Sequence, residues 1–457
     1  MKVMLINPYF RTHTITPPLG LVYLASSLRS AGQEVTILDC LAKEIDPEKI
    51  EREVQKQNPD IVGITAMTTC YSEALRYVEK TKELGVLTML GGPHVSARPT
   101  ESLRESKADF VVYGEGERSI VELVNAIESK SGFSSICGIG YKNQGEIVIN
   151  PGRDLIEDLN TIPMPAWDLM PPKEYPPAPH GAVVKRFPVA PIVTTRGCPF
   201  NCAFCASKCI WQHKLRFRSA KNLVDEIELL VNEYSVRELH FEDDNFTANR
   251  EHALSICNEI VKRKLDITWA CPNGVRIDEL DQELLIRMKE SGCYLLAFGI
   301  ESGSQKILDG VNKKLDINMV QEVIRMVKDV GITTWGFFII GLPGETKETA
   351  RETIEFAKKM PLDRAQFCMF TPLPGSDAYD EWVRREKIED FEWENFNFYS
   401  VVCESDSLQK KDLAELQRKA FREFYFRPKI LFNLVKNIKP QQIRWILRRM
   451  LAYKYFG

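Results

Sequence analysis

Short apolar segments, each followed by a stretch with helical apolar spacing, run twice along this chain, and one proline-crowded interval separates the two runs. In the first run the apolar segments fall at residues 3–6, 35–38, 61–65, 87–90 and 110–113. The helical period occupies 21–30, 47–56, 72–83 and 119–128. Strands that alternate with helices cannot pair as hairpins, so the pattern predicts a parallel, doubly wound α/β sheet with helices on both faces.

Residues 138–150 read as a hairpin turning at Asn143, Gln144 and Gly145, and prolines then crowd residues 162–188. The second run has apolar segments at 191–195, 238–242, 267–270, 295–300, 335–340 and 366–370, separated by helical stretches at 222–233, 253–262, 281–291, 319–330 and 349–359. Six strands with five intervening helices predict a partial (β/α) barrel that works at its carboxyl-terminal strand ends. Past Pro374 the alternation stops, and a helical region with an aromatic and basic bias follows, including Phe421, Tyr425, Phe426, Trp445, Arg448 and Arg449. The expected organisation is therefore a doubly wound domain over 1–150, a proline-rich linker over 151–190, a barrel over 191–375 and a helical cap over 376–457. An amphipathic segment lying on a membrane surface is the alternative reading of that cap.

A formal charge of −3 over 457 residues gives no global basic field, which argues against nucleic acid as a bulk partner. No charged and apolar leader opens the sequence, and no run of about 18 apolar residues occurs, so the expectation is a cytoplasmic protein with no transmembrane segment. Most of the twelve cysteines are scattered singly, unlike a secreted disulfide framework. Cys40, Cys70, Cys137, Cys257, Cys271, Cys293, Cys368 and Cys403 read as core thiols.

One cluster breaks that pattern: Arg196-Gly197-Cys198-Pro199-Phe200-Asn201-Cys202-Ala203-Phe204-Cys205, directly after the first barrel strand. Three thiolates on one loop can each hold one iron of a [4Fe–4S] cube and leave the fourth iron open to a ligand. A zinc site is the competing reading; it needs a fourth ligand, for which Cys209 is the candidate.

This C-x-x-x-C-x-x-C spacing at the end of a first barrel strand resembles the radical S-adenosylmethionine superfamily, and the resemblance extends over residues 190–375. It implies one [4Fe–4S] cluster on Cys198, Cys202 and Cys205, reductive cleavage of S-adenosylmethionine to a 5′-deoxyadenosyl radical, and a flavodoxin- or ferredoxin-type electron donor. Phe204 would pack near the adenine. Glu242, Asp243 and Asp244 would meet the methionine ammonium, with Asn273 beside them. Glu301 and Ser302 would lie at the ribose, and Gly341 and Leu342, within Gly341-Leu342-Pro343-Gly344-Glu345, at the adenine. Arg218 and Arg276 are candidate carboxylate partners, because a guanidinium can hold a carboxylate bidentately.

Residues 1 to about 145 resemble the Rossmann-like cobalamin-binding domain that precedes the partial (β/α)6 barrel in one large subgroup of that superfamily. The pieces that carry the likeness are Pro18-Leu19-Gly20, Gly91-Gly92-Pro93-His94 and Tyr113-Gly114-Glu115-Gly116-Glu117. A corrin's lower face would meet the loop of Met67, Thr68, Thr69 and Tyr71. No Asp-x-His-x-x-Gly surrounds any of the six histidines, so the usual histidine ligand to cobalt is missing. A scaffold retained without corrin is the alternative for this domain.

With both cofactors, the resemblance implies a methyltransferase that moves a methyl group from methylcobalamin to an unactivated carbon. Rival readings are an oxidative cyclase like the anaerobic magnesium-protoporphyrin ester cyclase, and a sensor that binds the same cofactors. A methylthiotransferase would need an additional amino-terminal cysteine cluster that this sequence lacks. Tyr294, Trp335, Trp393 and Tyr399 are candidate walls of a substrate cavity, with aromatic core as the competing reading. The substrate class stays open among peptide or protein, lipid, tetrapyrrole and natural product. Replacing Cys198, Cys202 and Cys205 together with alanine should abolish iron binding and 5′-deoxyadenosine production. Cys209→Ser should retain both, and loss of the cubane spectrum in that variant would revive a four-cysteine site.

Overall fold

The computed structural model describes residues 1–12, 15–177, 184–386, 391–405, 407–428 and 430–432. The first run of alternation supplies strands β1 (Lys2–Asn7), β2 (Glu34–Asp39), β3 (Ile61–Thr65), β4 (Leu87–Gly91), β5 (Phe110–Val112), β6 (Ile139–Asn143) and β7 (Glu146–Ile149). They form one sheet of order β2-β1-β3-β4-β5-β6-β7, parallel through β5 and closed by the antiparallel β6–β7 hairpin. Val3, Leu5, Ile61 and Met89 enter the core on one face, and Met4, Ile6, Val62, Ile64 and Leu90 enter the core on the other. Strands buried on both faces are near-continuous apolar runs, which is why their period was legible and why helices cover both sides. The strand order reverses between β1 and β3, and the crevice beyond their carboxyl ends is where such sheets take ligands.

The second run supplies β8 (Val189–Ile192), β9 (Thr195–Arg196), β10 (Arg216–Phe217), β11 (Glu238–Phe241), β12 (Thr268–Val275), β13 (Cys293–Glu301), β14 (Thr333–Ile340) and β15 (Arg364–Met369). Strands β8 and β11 to β15 pair in that order, all parallel. The single strand expected over 191–195 is broken. At its end the Asp243 carboxylate takes the amides and hydroxyls of Thr194 and Thr195 at 2.6–3.0 Å, and the chain turns there into β9. β9 and β10 pair antiparallel over two residues each and bracket the cysteine loop between them. Register breaks between Cys271 and Val275 and between Gly299 and Glu301 distort β12 and β13 at their carboxyl ends. Bulges of this kind re-aim side chains beside functional sites.

The proline-rich stretch is stitched to both sheets where it is described. Trp167 is buried and donates its indole N–H to Glu226 of the barrel at 2.9 Å. Tyr175 donates to Asp39 of the first sheet at 2.7 Å. The helix Lys410–Tyr425 buries Leu413, Leu416, Ala420 and Phe424 against the barrel. It also caps the free edge of β15: Gln417 donates to the Phe367 carbonyl at 2.8 Å and Tyr425 to the Ala365 carbonyl at 2.6 Å, which removes acceptors that an exposed edge would offer to other chains. Of the residues singled out in the cap, Trp445, Arg448 and Arg449 lie outside the described residues. Among the described residues, no helix is long and apolar enough to cross a membrane.

A buried ion cluster joins the first sheet to the barrel. Arg196 of β9 donates to Glu115 at 2.7 Å and also to Glu117, while Arg216 of β10 donates to the other oxygen of Glu115 at 2.8 Å and to the Ile156 carbonyl at 2.7 Å. The Ile156 amide completes the shell of Glu115 at 2.7 Å. Burial opposes ionisation of Glu117, yet the Arg196 guanidinium overrides it and holds this carboxyl below the ordinary range. Removing one partner of a buried pair costs about 3–5 kcal/mol because the other charge stays desolvated. Glu115→Gln should therefore lower the urea midpoint of unfolding strongly. Lys214→Gln, which removes the exposed pair with Glu157, should leave it unmoved.

Candidate functional site

The cysteine loop is fixed from several directions before any metal is considered. Gly197 opens it at φ +92°, where a side-chain carbon would stand 2.3 Å from the Lys214 carbonyl, so only glycine fits. Asn312 donates to the Asn201 carbonyl at 2.7 Å, the Ala203 amide donates to the Val311 carbonyl at 2.9 Å, and the Ala378 amide donates to the Ala203 carbonyl at 2.9 Å. The Arg276 guanidinium lies 3.7 Å over the Phe200 ring.

Cys198, Cys202 and Cys205 are all half-buried. Burial pushes each thiol up, Cys205 to about 12, so the bare sulfurs are neutral and need a metal to become thiolates. Among the described residues, no three histidine, cysteine or carboxylate side chains converge on one metal-ion position. Cys209 packs elsewhere, against Gly375: a carbon added to that glycine would lie 2.8 Å from the Cys209 Cβ and 3.1 Å from its sulfur.

Around the triad, the structure divides the sequence-derived residues into two groups. Glu242 is half-buried at the end of β11 and takes the Asn273 amide at 2.5 Å. Asp244 is exposed and takes the Ser207 hydroxyl at 2.7 Å. Phe204, half-buried, packs against a small core cluster that contains Leu342, Ile307 and Val311; Leu342 is fully buried, so of the adenine candidates here only Phe204 is partly accessible. Glu301 pairs with Lys313 at 2.9 Å.

Other candidates are committed inside the fold. Asp243 is buried, its carboxyl pushed up to about 6 by that burial against the pull of the Thr194 and Thr195 hydrogen bonds. Arg218 is buried and spends its donors on Glu226, Tyr23, Asn222 and the Val193 carbonyl. Arg276 spends its own on Asp278 and the carbonyls of Lys313 and Lys314. Neither arginine is left to hold a carboxylate ligand. Ser302 is fully buried, with its hydroxyl 3.1 Å from that of Thr353. The Gly341 amide is taken by Glu345.

A cavity of about 290 Å³ lies between the first sheet and the barrel. Leu19, Gly20, Gly91, Gly92, Pro93, Gly114 and Glu115 line it from the sheet side; Arg196, Gly197, Trp211, Glu242 and Asp244 line it from the barrel side. Pro18 precedes the helix Leu19–Ser30 and offers its carbonyl to the Leu21 amide. Gly92, at φ +102°, leaves no room for a side chain, which would sit 2.7 Å from the Ala66 carbonyl. Glu115 borders the cavity, but its oxygens are consumed by Arg196, Arg216 and Ile156.

Other residues expected at a corrin are not in the lining. Met67 is exposed at the loop tip, Thr69 is half-buried beside it, and Tyr113 donates its hydroxyl to the Asn150 carbonyl. Tyr71 is fully buried, stacked on His94 with ring centroids 3.9 Å apart. His94 is buried as well, with Nδ1 3.2 Å from the Thr68 hydroxyl. Burial, helped by the Arg98 charge, pulls His94 down to about 3, so it stays neutral within the core.

The four aromatic candidates also separate. Trp393 packs edge-on to His94 at 4.6 Å and belongs to the core of the first domain. Tyr294 donates to Glu238 at 2.5 Å, at the amino-terminal end of β11 and so at the opposite end from the cysteines. Trp335 packs with Ala270, Leu295 and Ala297, with Phe337 edge-on at 5.2 Å. Tyr399 accepts from Gln366 of β15 at 2.9 Å. Sequence reasoning missed Lys313, Arg196 and Trp211. Lys313 has no motif of its own, whereas Arg196 adjoins the cysteine loop and that adjacency was the available signal.

Comparison with known proteins matches residues 10–124 to the B12 binding domain and residues 192–357 to the radical SAM superfamily. The chain is 35% identical to an uncharacterised methyltransferase of Pyrococcus horikoshii, covering 100% of this chain and 99% of the relative. It is 31% identical to the anaerobic magnesium-protoporphyrin IX monomethyl ester cyclase of Rubrivivax gelatinosus, over 93% of this chain and 77% of that enzyme. Among solved structures, the radical S-adenosylmethionine methyltransferase TsrM of Kitasatospora setae, with cobalamin and a [4Fe–4S] cluster bound, superposes with a TM-score of 0.74 at 18% identity, covering 99% of each chain. That likeness extends through both sheets and establishes the fold.

Glu345 carries a pH signature of this site. Burial pushes its carboxyl from 4.5 up to about 7, and its Oε1 is buried without a hydrogen-bond partner. The folded chain thus keeps a proton that the unfolded chain releases, and this contribution to stability, full below about pH 4.5, is lost as pH rises through 7. Glu345→Gln should raise the thermal midpoint at pH 8 and leave it nearly unchanged at pH 5. Equal shifts at the two pH values would contradict this assignment.

Proposed function

We propose, given that this chain belongs to the radical SAM family whose members carry an amino-terminal B12-binding domain, that it is a cobalamin-dependent C-methyltransferase acting on an unactivated sp3 carbon. The observation that carries the proposal is the shared cavity. The glycine loops at the carboxyl edge of the first sheet and the residues flanking the cysteine triad, Arg196, Gly197, Glu242 and Asp244, border one space. When bound, the cluster with S-adenosylmethionine supplies hydrogen-atom abstraction and the corrinoid supplies the methyl group.

The residues of the chain bind, orient and keep dry. Cys198, Cys202 and Cys205 would hold the cluster. Glu242 and Asp244, the two carboxylates that border the cavity just after β11, suit the ammonium of S-adenosylmethionine. Phe204, half-buried on the cysteine loop, suits its adenine. Leu19, Gly20, Gly91, Gly92, Pro93 and Gly114 present backbone and apolar surface suited to the nucleotide tail of a corrinoid. The loop at Met67, Thr68 and Thr69 offers no imidazole to cobalt, since His94 is turned into the core. No protein acid or base is required, because the cofactors carry the difficult chemistry and the fold supplies position. The electron must come from an external one-electron donor of the flavodoxin or ferredoxin type.

The second reading is an oxidative cyclisation, favoured by the 31% identity to the ester cyclase. The segment 424–457 bears on the substrate. It contains Arg427, Lys429, Lys436, Lys439, Arg444, Arg448, Arg449 and Lys454 and no Asp or Glu, a composition that suits an anionic lipid surface and supports a membrane-borne or bulky anionic substrate. Incubating the reconstituted enzyme with reductant, host extract and S-adenosylmethionine bearing a trideuterated methyl group should yield a product carrying the label on carbon. Production of 5′-deoxyadenosine with an unlabelled product that has lost hydrogen would establish cyclisation instead.

A further inference from the structure

We propose that Lys313 is the cation that faces the cysteine loop and sets the charge balance, and hence the reduction potential, of the cluster. The inference rests on the reading of that loop as a [4Fe–4S] site and goes beyond it by giving a role to a residue that is neither a ligand nor part of any motif.

Lys313 belongs to a segment pressed against the middle cysteine. The residues on either side of Cys202 are both tied to it, Asn201 through the Asn312 side chain at 2.7 Å and Ala203 through the Val311 carbonyl at 2.9 Å. Arg276 then braces the main chain of the same segment. It donates to the Lys313 carbonyl at 2.8 Å and the Lys314 carbonyl at 2.9 Å while its plane covers Phe200 of the cysteine loop. Its backbone is thereby fixed on both sides, and its side chain is only 10% exposed.

One carboxylate answers it, Glu301, at 2.9 Å. Glu301 is itself held at φ +68° by the bulge in β13, a left-handed conformation that a residue with a side chain rarely adopts. Gly299 beside it leaves room for the pair: a Cβ there would stand 2.5 Å from the Glu301 Oε1 and 3.0 Å from the Lys313 Nζ, so those side-chain ends would have to shift. Backbone strain and a side-chain vacancy are both concentrated on this ion pair, and strain of this kind persists where the surrounding structure over-determines it.

A cluster held by three thiolates becomes more negative when it accepts an electron. In a buried loop that charge is poorly screened, so net charge and hydrogen bonding around the cluster set its potential. The positive charge of Lys313 favours the reduced state and the negative charge of Glu301 opposes it. The two residues should therefore move the potential in opposite directions.

The test is a redox titration, followed by electron paramagnetic resonance, of the anaerobically reconstituted full chain without S-adenosylmethionine, so that contacts to that cofactor do not enter. Lys313→Met should assemble iron and sulfide to the wild-type level and titrate at a more negative potential. Lys313→Arg should restore the wild-type value, and Glu301→Gln should shift it to a more positive one. A Lys313→Met protein with a complete cluster and an unchanged potential would overturn the proposal. If Lys313→Met fails to assemble a cluster, an unmoved potential in Glu301→Gln overturns it and a positive shift sustains it. A wild-type chain that assembles no cubane would instead defeat the reading of the loop on which the proposal rests.

Discussion

The buried contact of Arg196 and Arg216 with Glu115 and Glu117 is what the working geometry depends on. The two arginines stand at the two ends of the cysteine loop, one on β9 and one on β10, while both carboxylates stand where the chain passes from β5 into the helix Gly116–Ser129, Glu115 before it and Glu117 in its first turn. Trp211, on the intervening loop, lies 5.6 Å from both guanidinium groups and helps exclude water. Buried charges are expensive to desolvate, and such pairs contribute little net stability compared with apolar packing. Their effect here is registration: the loop that would carry iron cannot shift against the loops that would carry the corrinoid without exposing an unpaired charge. Two domains with separate cores are thereby held around one cavity.

A second constraint comes from the backbone at the barrel mouth. Gly197, at φ +92° against the Lys214 carbonyl, occupies a space that no side chain would fit, and Glu301 is held at φ +68°, a conformation rare for a residue with a side chain. The adjoining polar groups are mostly committed: Asp243 closes the turn after β8, Arg276 braces the segment behind Cys202, and Ser302 anchors to Thr353. Glu242 and Asp244, which border the cavity, are the carboxylates placed to meet a ligand. A small number of cavity-lining groups on a heavily braced frame is what positioning a reactive cofactor requires.

Both sheets and the barrel were legible in the sequence because parallel strands buried on two faces leave continuous apolar runs, and because the cysteine spacing follows directly on the first barrel strand. The break between β8 and β9 was not legible, since it is imposed by a carboxylate 48 residues further along the chain. For the same reason Arg218 and Arg276 read as available cations; sequence does not reveal that Glu226 and Asp278 already hold them. Tyr71, His94 and Trp393 sit on three separate segments and become one aromatic stack only in three dimensions. Lys313 is the converse case. It meets its partner Glu301 across 12 residues, and its neighbour Asn312 reaches the cysteine loop across 111, so no local pattern marks it.

An iron–sulfur cluster and a corrinoid on either side of a single cavity can be counted in one experiment: the iron, sulfide and corrinoid content of the chain purified anaerobically from cells supplied with hydroxocobalamin, read together with its visible spectrum. About four irons and one tightly held corrinoid per chain are expected. Four irons with no corrinoid would contradict this, reducing the first sheet to a scaffold and removing the methyl donor from the proposed reaction.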